Sequence, residues 1–159
     1  MKKTLLLSLT IAAADQAIKT YVRSFAPGQI LARIGGLLEI THCVNTGAAF
    51  SMLSGKTLML AVLSVLLMAA VAVAVLRFMR LSEAGLAALG CLLGGGMGNL
   101  IDRVCFGGVT DYIRICLFRF PVFNLADIAI TLSVTVLLLL MLLDRLEKKT
   151  TGEDYGSDH

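Results

Sequence analysis

The chain has 159 residues, 57% of them hydrophobic and only 16% charged, against about 25% charged in an ordinary soluble domain. Its formal charge of +3 is too small, and too little interleaved with aromatics, for a nucleic-acid surface. The length allows one domain without a second core, and the apolar residues fall in long runs, as in a membrane protein.

Lys2 and Lys3 precede an apolar stretch that begins at Leu5, and Ala12-Ala13-Ala14 imitates a signal-peptide cleavage site. The apolar periodicity nevertheless continues through Ala17, Ile18, Tyr21, Val22 and Phe25. That favours a retained first span over about 4–23. Asp15 and Lys19 are four apart, share one helix face and neutralise each other there.

Pro27 and Gly28 end this helix. From 29 to 50 short β-branched runs alternate with glycines and polar residues, which predicts strands or a small curved sheet at the membrane surface. His42 has no companion His or Cys at metal-ligand spacing and is expected to be solvated or interfacial. Small residues surround Asn45 in Asn45-Thr46-Gly47-Ala48-Ala49-Phe50-Ser51, which reads as a loop or a close backbone approach.

Residues 57–76 carry no charge and form the plainest span. After a short loop, a third span over 84–104 holds Gly90, Gly94 and Gly98, a spacing that lets helices pack closely. No Gly-Lys-Ser/Thr follows, so the glycines are not a phosphate loop. Asn99, Asp102 and Arg103 project from one face at its end and tie it to the segment beyond. Gly107 and Gly108 then break the helix. Alternating Val109, Ile113, Ile115 and Leu117 predict a short interfacial strand or turn. Tyr112, Phe118, Phe120 and Phe123 suit a membrane–water boundary. The last span covers 123–143, with Asn124 and Asp127 three apart on one face, and residues 150–159 form a polar, disordered tail.

Residues 1–149 are thus one membrane domain. Lys2 and Lys3, Arg77 and Arg80, and Arg145, Lys148 and Lys149 fall on one side of four spans. That places both termini in the cytoplasm, although Arg23, Arg33, Lys56, Arg114 and Arg119 weaken the contrast. The expected fold class is therefore membrane α-helical, four transmembrane helices with a small extracytoplasmic β-rich cradle between spans 1 and 2.

Carboxylates beside apolar runs cost about 2.5–3.5 kcal/mol each at a helix centre, so a cluster of them calls for a use. Asp111 and Asp127 are expected at similar depth near the outer face, joined by a short segment. Two close carboxyls share a proton, and the pair can activate water as base while donating a proton as acid. A proton or ion pathway through the same aspartates, or a purely structural polar cluster, remains open. No serine is paired with His42 or His159, and no metalloprotease motif is present. Cys43, Cys91, Cys105 and Cys116 show no C-x-x-C spacing, which speaks against a metal or redox site.

Five ordered blocks then resemble the bacterial lipoprotein signal peptidases, or signal peptidase II. They are Asp15-Gln16-Ala17-Ile18-Lys19, Asn45 to Ser51, the Gly98-Asn99-Leu100-Ile101-Asp102-Arg103 block, Val109-Thr110-Asp111-Tyr112-Ile113 and Phe123-Asn124-Leu125-Ala126-Asp127. The resemblance implies cleavage of a diacylglyceryl-modified prolipoprotein on the amino side of its lipidated cysteine, with Asp111 and Asp127 as the catalytic pair. It implies substrate-binding or supporting roles for Asp15, Lys19, Asn45, Gly47, Asn99, Asp102, Arg103, Asn124 and Ala126. It also implies a monomer in the bacterial inner membrane, in contact with lipids, with no metal or cofactor and with its site near the outer face. Tyr112 departs from the family's phenylalanine and Ile128 from a small hydroxyl residue. The segment between the acids is a few residues short, which bears on the part that closes over substrate.

Overall fold

The glycine-rich stretch forms one long helix, Glu83–Phe106, on which the other helices pack. Ser82 starts it: its backbone is extended, at φ −82° and ψ 157°, and its hydroxyl accepts a hydrogen bond from Gly85 N. One of the open amide donors of the first turn is thereby satisfied, and Glu83 complements the helix dipole there. Gly107 ends the helix in the left-handed conformation, at φ 71°, which a residue without Cβ adopts without strain.

The computed structural model describes residues 2–47, 53–78 and 82–151. In chain order these contain α1 (Lys2–Arg23), β1 (Ile30–Ile34), β2 (Leu38–Asn45), α2 (Thr57–Phe78), α3 (Glu83–Phe106), β3 (Val109–Ile115) and α4 (Leu125–Thr151). Residues 48–51 of the Asn45 block, Arg80 and the tail beyond Thr151 lie outside the described residues.

Glycines let α1 and α4 approach α3 at backbone distance and let a side chain of α2 press against it. A Cβ added at Gly90 or Gly94 meets the carbonyl oxygen of Thr4 or Ser8 on α1 at 2.8 or 2.5 Å. At Gly98 it runs into the Asp15 carboxylate. Gly95 faces Ala126 O on α4, and Gly96 faces Met68 on α2. The close packing expected of Gly90, Gly94 and Gly98 is therefore one face of a helix with close approaches on several sides. At the end carrying Lys2, Val75, Ala88, Leu89, Leu92 and Leu137 form an apolar cluster. Leucines such as Leu58, Leu66 and Leu138 face outward on α2 and α4, an arrangement suited to lipid.

The sheet has the order β1-β2-β3, antiparallel throughout. Gly35 and Gly36 have φ of 56° and 70°, and Leu37 N donates to Ile34 O at 3.0 Å. This primed turn matches the twist of the hairpin strands. β3 then joins the free side of β2, across two intervening helices in sequence, with Cys43 paired to Asp111.

Several expectations change. Among the described residues, three helices, α2, α3 and α4, are long and apolar enough to cross a membrane. α1 is as long as α2, but Asp15, Gln16 and Lys19 reduce its apolarity. The last helix begins at Leu125 rather than 123 and runs to Thr151, so the first two residues of the expected tail are helical. His42 is not solvated: it is 5% exposed, and its Nδ1 lies 2.7 Å from Phe25 O, pinning the sheet to the end of α1. The result is a membrane-type helical fold with three apolar candidate spans and a small antiparallel sheet.

Candidate active site

Asn124 sits immediately before α4 rather than inside it. Its Oδ1 accepts from Asp127 N at 2.9 Å, while Asp127 Oδ2 accepts from Asn124 N at 3.2 Å. This reciprocal arrangement is a capping box, and it fixes Asp127 in the first turn. Pro121, just upstream, supplies the break from which such a cap starts. Asn124 Nδ2 points the other way and donates to Asp111 Oδ1 at 2.7 Å. One fully buried asparagine therefore contacts both carboxylates.

β3 presents Asp111 from the sheet. Asp111 Oδ2 accepts from Asn45 Nδ2 at 3.1 Å, and Gly47 N donates to Asn45 Oδ1 at 3.0 Å, holding that amide in place. From α3, Asn99 Nδ2 donates to Asp127 Oδ1 at 2.8 Å. Asn99 Oδ1 in turn accepts from Lys19 Nζ at 2.8 Å and from Asn124 Nδ2 at 3.1 Å. Burial, followed by the nearby charge of Asp127, pushes the Asp111 carboxyl up to about 7. Cys43, its cross-strand partner, is also raised, by burial and then by Asp111.

A second, fully buried layer supports this one. Lys19 Nζ donates to Asn99 Oδ1 at 2.8 Å and forms ion pairs with Asp15 Oδ2 at 2.8 Å and Asp102 Oδ2 at 3.3 Å. Asp15 Oδ1 accepts from Ala126 N at 3.1 Å, so α1 touches the first turn of α4 directly. Asp102 Oδ2 accepts from Thr110 N at 2.7 Å, and its Oδ1 accepts from Gln16 at 2.8 Å and from Arg23 at 3.0 Å. Asp102 thus ties α3 to α1 and β3. Arg103 turns elsewhere: its guanidinium donates to Asn99 O at 3.3 Å and feels Asp127 most strongly, then Asp111, then Asp102.

The arrangement offers two carboxyls at one place, each with two N–H donors, backed by fixed charges. Among the described residues, no group of three or more His, Cys, Asp or Glu is placed to hold a metal ion, and the four cysteines are free. The family model described as Signal peptidase (SPase) II matches residues 7–143.

The chain belongs to the signal peptidase II family. It is similar to proteins named lipoprotein signal peptidase. The one from Moorella thermoacetica is 40% identical over 135 residues, 84% of this chain and 88% of the relative. The one from Brevibacillus brevis is 32% identical over 87% of this chain and 94% of its own. A solved bacterial membrane enzyme superposes with a TM-score of 0.81 at 26% identity, covering 100% of this chain and 95% of its own. A second reaches 0.80 at 28% identity, covering 89% and 94%.

The structure gathers all eleven residues singled out in the sequence into one connected cluster. Sequence reasoning missed Gln16, Arg23, Thr110 and the Tyr112 hydroxyl. Arg23 NH1 donates to Thr110 Oγ1 at 3.2 Å, and Tyr112 OH accepts from Leu125 N at 3.1 Å. Gln16, Lys19 and Arg23 recur at i, i+3 and i+7, a polar stripe on one face of α1 that was available as a signal. The Tyr112 hydroxyl satisfies one open amide at the start of α4, which a phenylalanine there does not.

Proposed function

We propose that this chain removes signal peptides from diacylglyceryl-modified prolipoproteins, cleaving on the amino side of the lipidated cysteine with water activated between Asp111 and Asp127. The observation that carries this reading is Asn124, hydrogen-bonded to both carboxylates at once. Asp111, raised to about 7, is suited to hold the proton of the pair and act as acid. Asp127 acts as base: it takes a proton from water as the water oxygen attacks the scissile carbonyl carbon, and Asp111 protonates the carbonyl oxygen. When the tetrahedral intermediate collapses, the C–N bond breaks and Asp127 returns its proton to the leaving amine. The hydroxyl proton goes back to Asp111. Asn45, Asn99, Asn124 and Arg103 hold the acids and the charge that develops beside them.

The same reading makes α1 a fourth span with both termini cytoplasmic and the dyad near the outer face of the bacterial inner membrane. In its support, α1 runs alongside α3 and carries its charges inward, paired with one another, which lowers the cost of keeping them in a bilayer. The sheet then serves as the extracytoplasmic cradle for the substrate.

Purified protein in detergent is given a diacylglyceryl-modified prolipoprotein and its unmodified counterpart. Processing of the modified substrate alone, lost in Asp111→Asn and Asp127→Asn, is expected. Proton or cation flux in liposomes without processing overturns the enzyme in favour of an ion pathway. In a background without native cysteines, an external thiol reagent should label Gly55→Cys and not Ser82→Cys. The reverse overturns the topology.

A further inference from the structure

α1 and α2 lean on α3 without closing over it at the end that carries Lys2. They leave a groove of about 390 Å³. Leu5 forms one wall, Ala72 and Leu76 the other, and Leu89 and Leu93 the floor. Lys2 lines the groove at the α1 N-terminus, and Arg77 stands exposed on the last turn of α2. Glu83, the acidic residue starting α3, is paired with Lys3 at 3.4 Å. One turn in from the end, Thr4 also lines the groove, and its buried Oγ1 has no hydrogen-bond partner.

We propose that this groove is a binding site for one acyl chain of an anionic phospholipid, with the phosphate at Lys2 and the ester region at Thr4. The walls and floor are apolar side chains of α1, α2 and α3, a surface that an unbranched hydrocarbon chain fits. Charge selects the headgroup: basic rims between transmembrane helices attract anionic lipids, and each lysine there contributes about fivefold in binding. Thr4 Oγ1, one turn in from Lys2, has no hydrogen-bond partner, and a lipid ester carbonyl at that depth supplies an acceptor. The lipid braces the inner half of α1, whose outer half carries Asp15 and Lys19. The proposal does not depend on the dyad or on the peptidase reading.

The chain has no tryptophan, so Leu5→Trp, at an exposed position on the groove wall, is a silent-background reporter. The full chain carrying it is reconstituted in phosphatidylcholine bilayers with a small fraction of brominated-chain phosphatidylglycerol or brominated-chain phosphatidylcholine. Phosphatidylglycerol is expected to compete for the reporter at least about fivefold more effectively. Lys2→Gln should remove most of that preference, and Ala72→Phe, which fills the groove, should remove all of it while the helical circular dichroism of the protein is unchanged. Equal quenching by the two lipids, or a preference that survives Ala72→Phe, overturns the site. Quenching that falls as protein density in the bilayer rises places a second copy in the groove and overturns it as well.

Discussion

Asp111→Asn separates the charge of the site from its shape, and its thermal stability should respond to pH in a calculable way. Asp111 is 2% exposed, and its folded-state pKa is raised from 3.8 to about 7 by burial first and by Asp127 second. A carboxyl raised in the folded state binds its proton more tightly there than in the unfolded chain. Its contribution to stability is therefore fully present below about pH 4 and is lost as pH rises through about 7. A shift of this size corresponds to about 4 kcal/mol over the whole window, of which about 2.5 kcal/mol falls between pH 5 and pH 8. For a chain of this length that is a Tm change of roughly 5–10 °C. Circular dichroism melts in detergent at both pH values measure it. Wild type should lose that much more Tm between pH 5 and pH 8 than Asp111→Asn, whose amide does not titrate. The two proteins behaving alike across this window would refute the placement of a protonated acid at Asp111.

Processing should fall above about pH 7 as Asp111 loses its proton; a rate rising through pH 8 with the same substrate reverses the acid and base roles. Asp111→Asn and Asp127→Asn should each abolish processing, and the double variant should be no worse than either single one, because the two act as a unit. Asn124→Ala should cost about 1–2 kcal/mol of stability from the lost cap and more than a hundredfold in kcat; wild-type turnover would show that the bridge is not needed. Asp102→Asn removes an acceptor shared by Lys19, Arg23 and Thr110 N and should cost on the order of 3–5 kcal/mol, yet leave measurable activity in the folded fraction. Folded but inactive Asp102→Asn, beside an active Asp111→Asn, would make Asp102 the partner of Asp127.

The helices were legible in the runs of apolar residues, and the meeting of Asp111 with Asp127 around Asn124 in the expense of keeping carboxyls beside those runs. Other features were not, for identifiable reasons. Phe123 is apolar and extends the last run, so Asn124 looked like a helix residue when it is the cap that starts the helix. Asp102 and Arg103 are adjacent, which turns their side chains about 100° apart. Spacing alone put them together, and packing sent Asp102 to α1 and β3 but Arg103 toward Asp127. Gln16 and Arg23 looked like ordinary polar positions because their partner lies more than 75 residues away. His42 was read as solvated or interfacial, and its burial was not legible because burial in a small sheet depends on what covers it, here the end of α1.

The charges of the whole cluster explain why such a polar site persists among apolar helices. Asp15 and Asp102 are answered by Lys19 and Arg23, which leaves the supporting layer formally neutral. Asp111 and Asp127 then face Arg103, while Lys19, already paired in the layer beneath, acts on Asp111 from farther off. Two ionised acids against one guanidinium leave one negative charge, which a buried site keeps only at high cost. One proton shared by the pair removes it. Under the proposed mechanism, the layer beneath therefore does more than hold the acids in position: with its own charges balanced, it leaves the Asp111–Asp127 pair to settle its charge with one shared proton. That is the state in which a water between the two carboxyls meets a base on one side and an acid on the other.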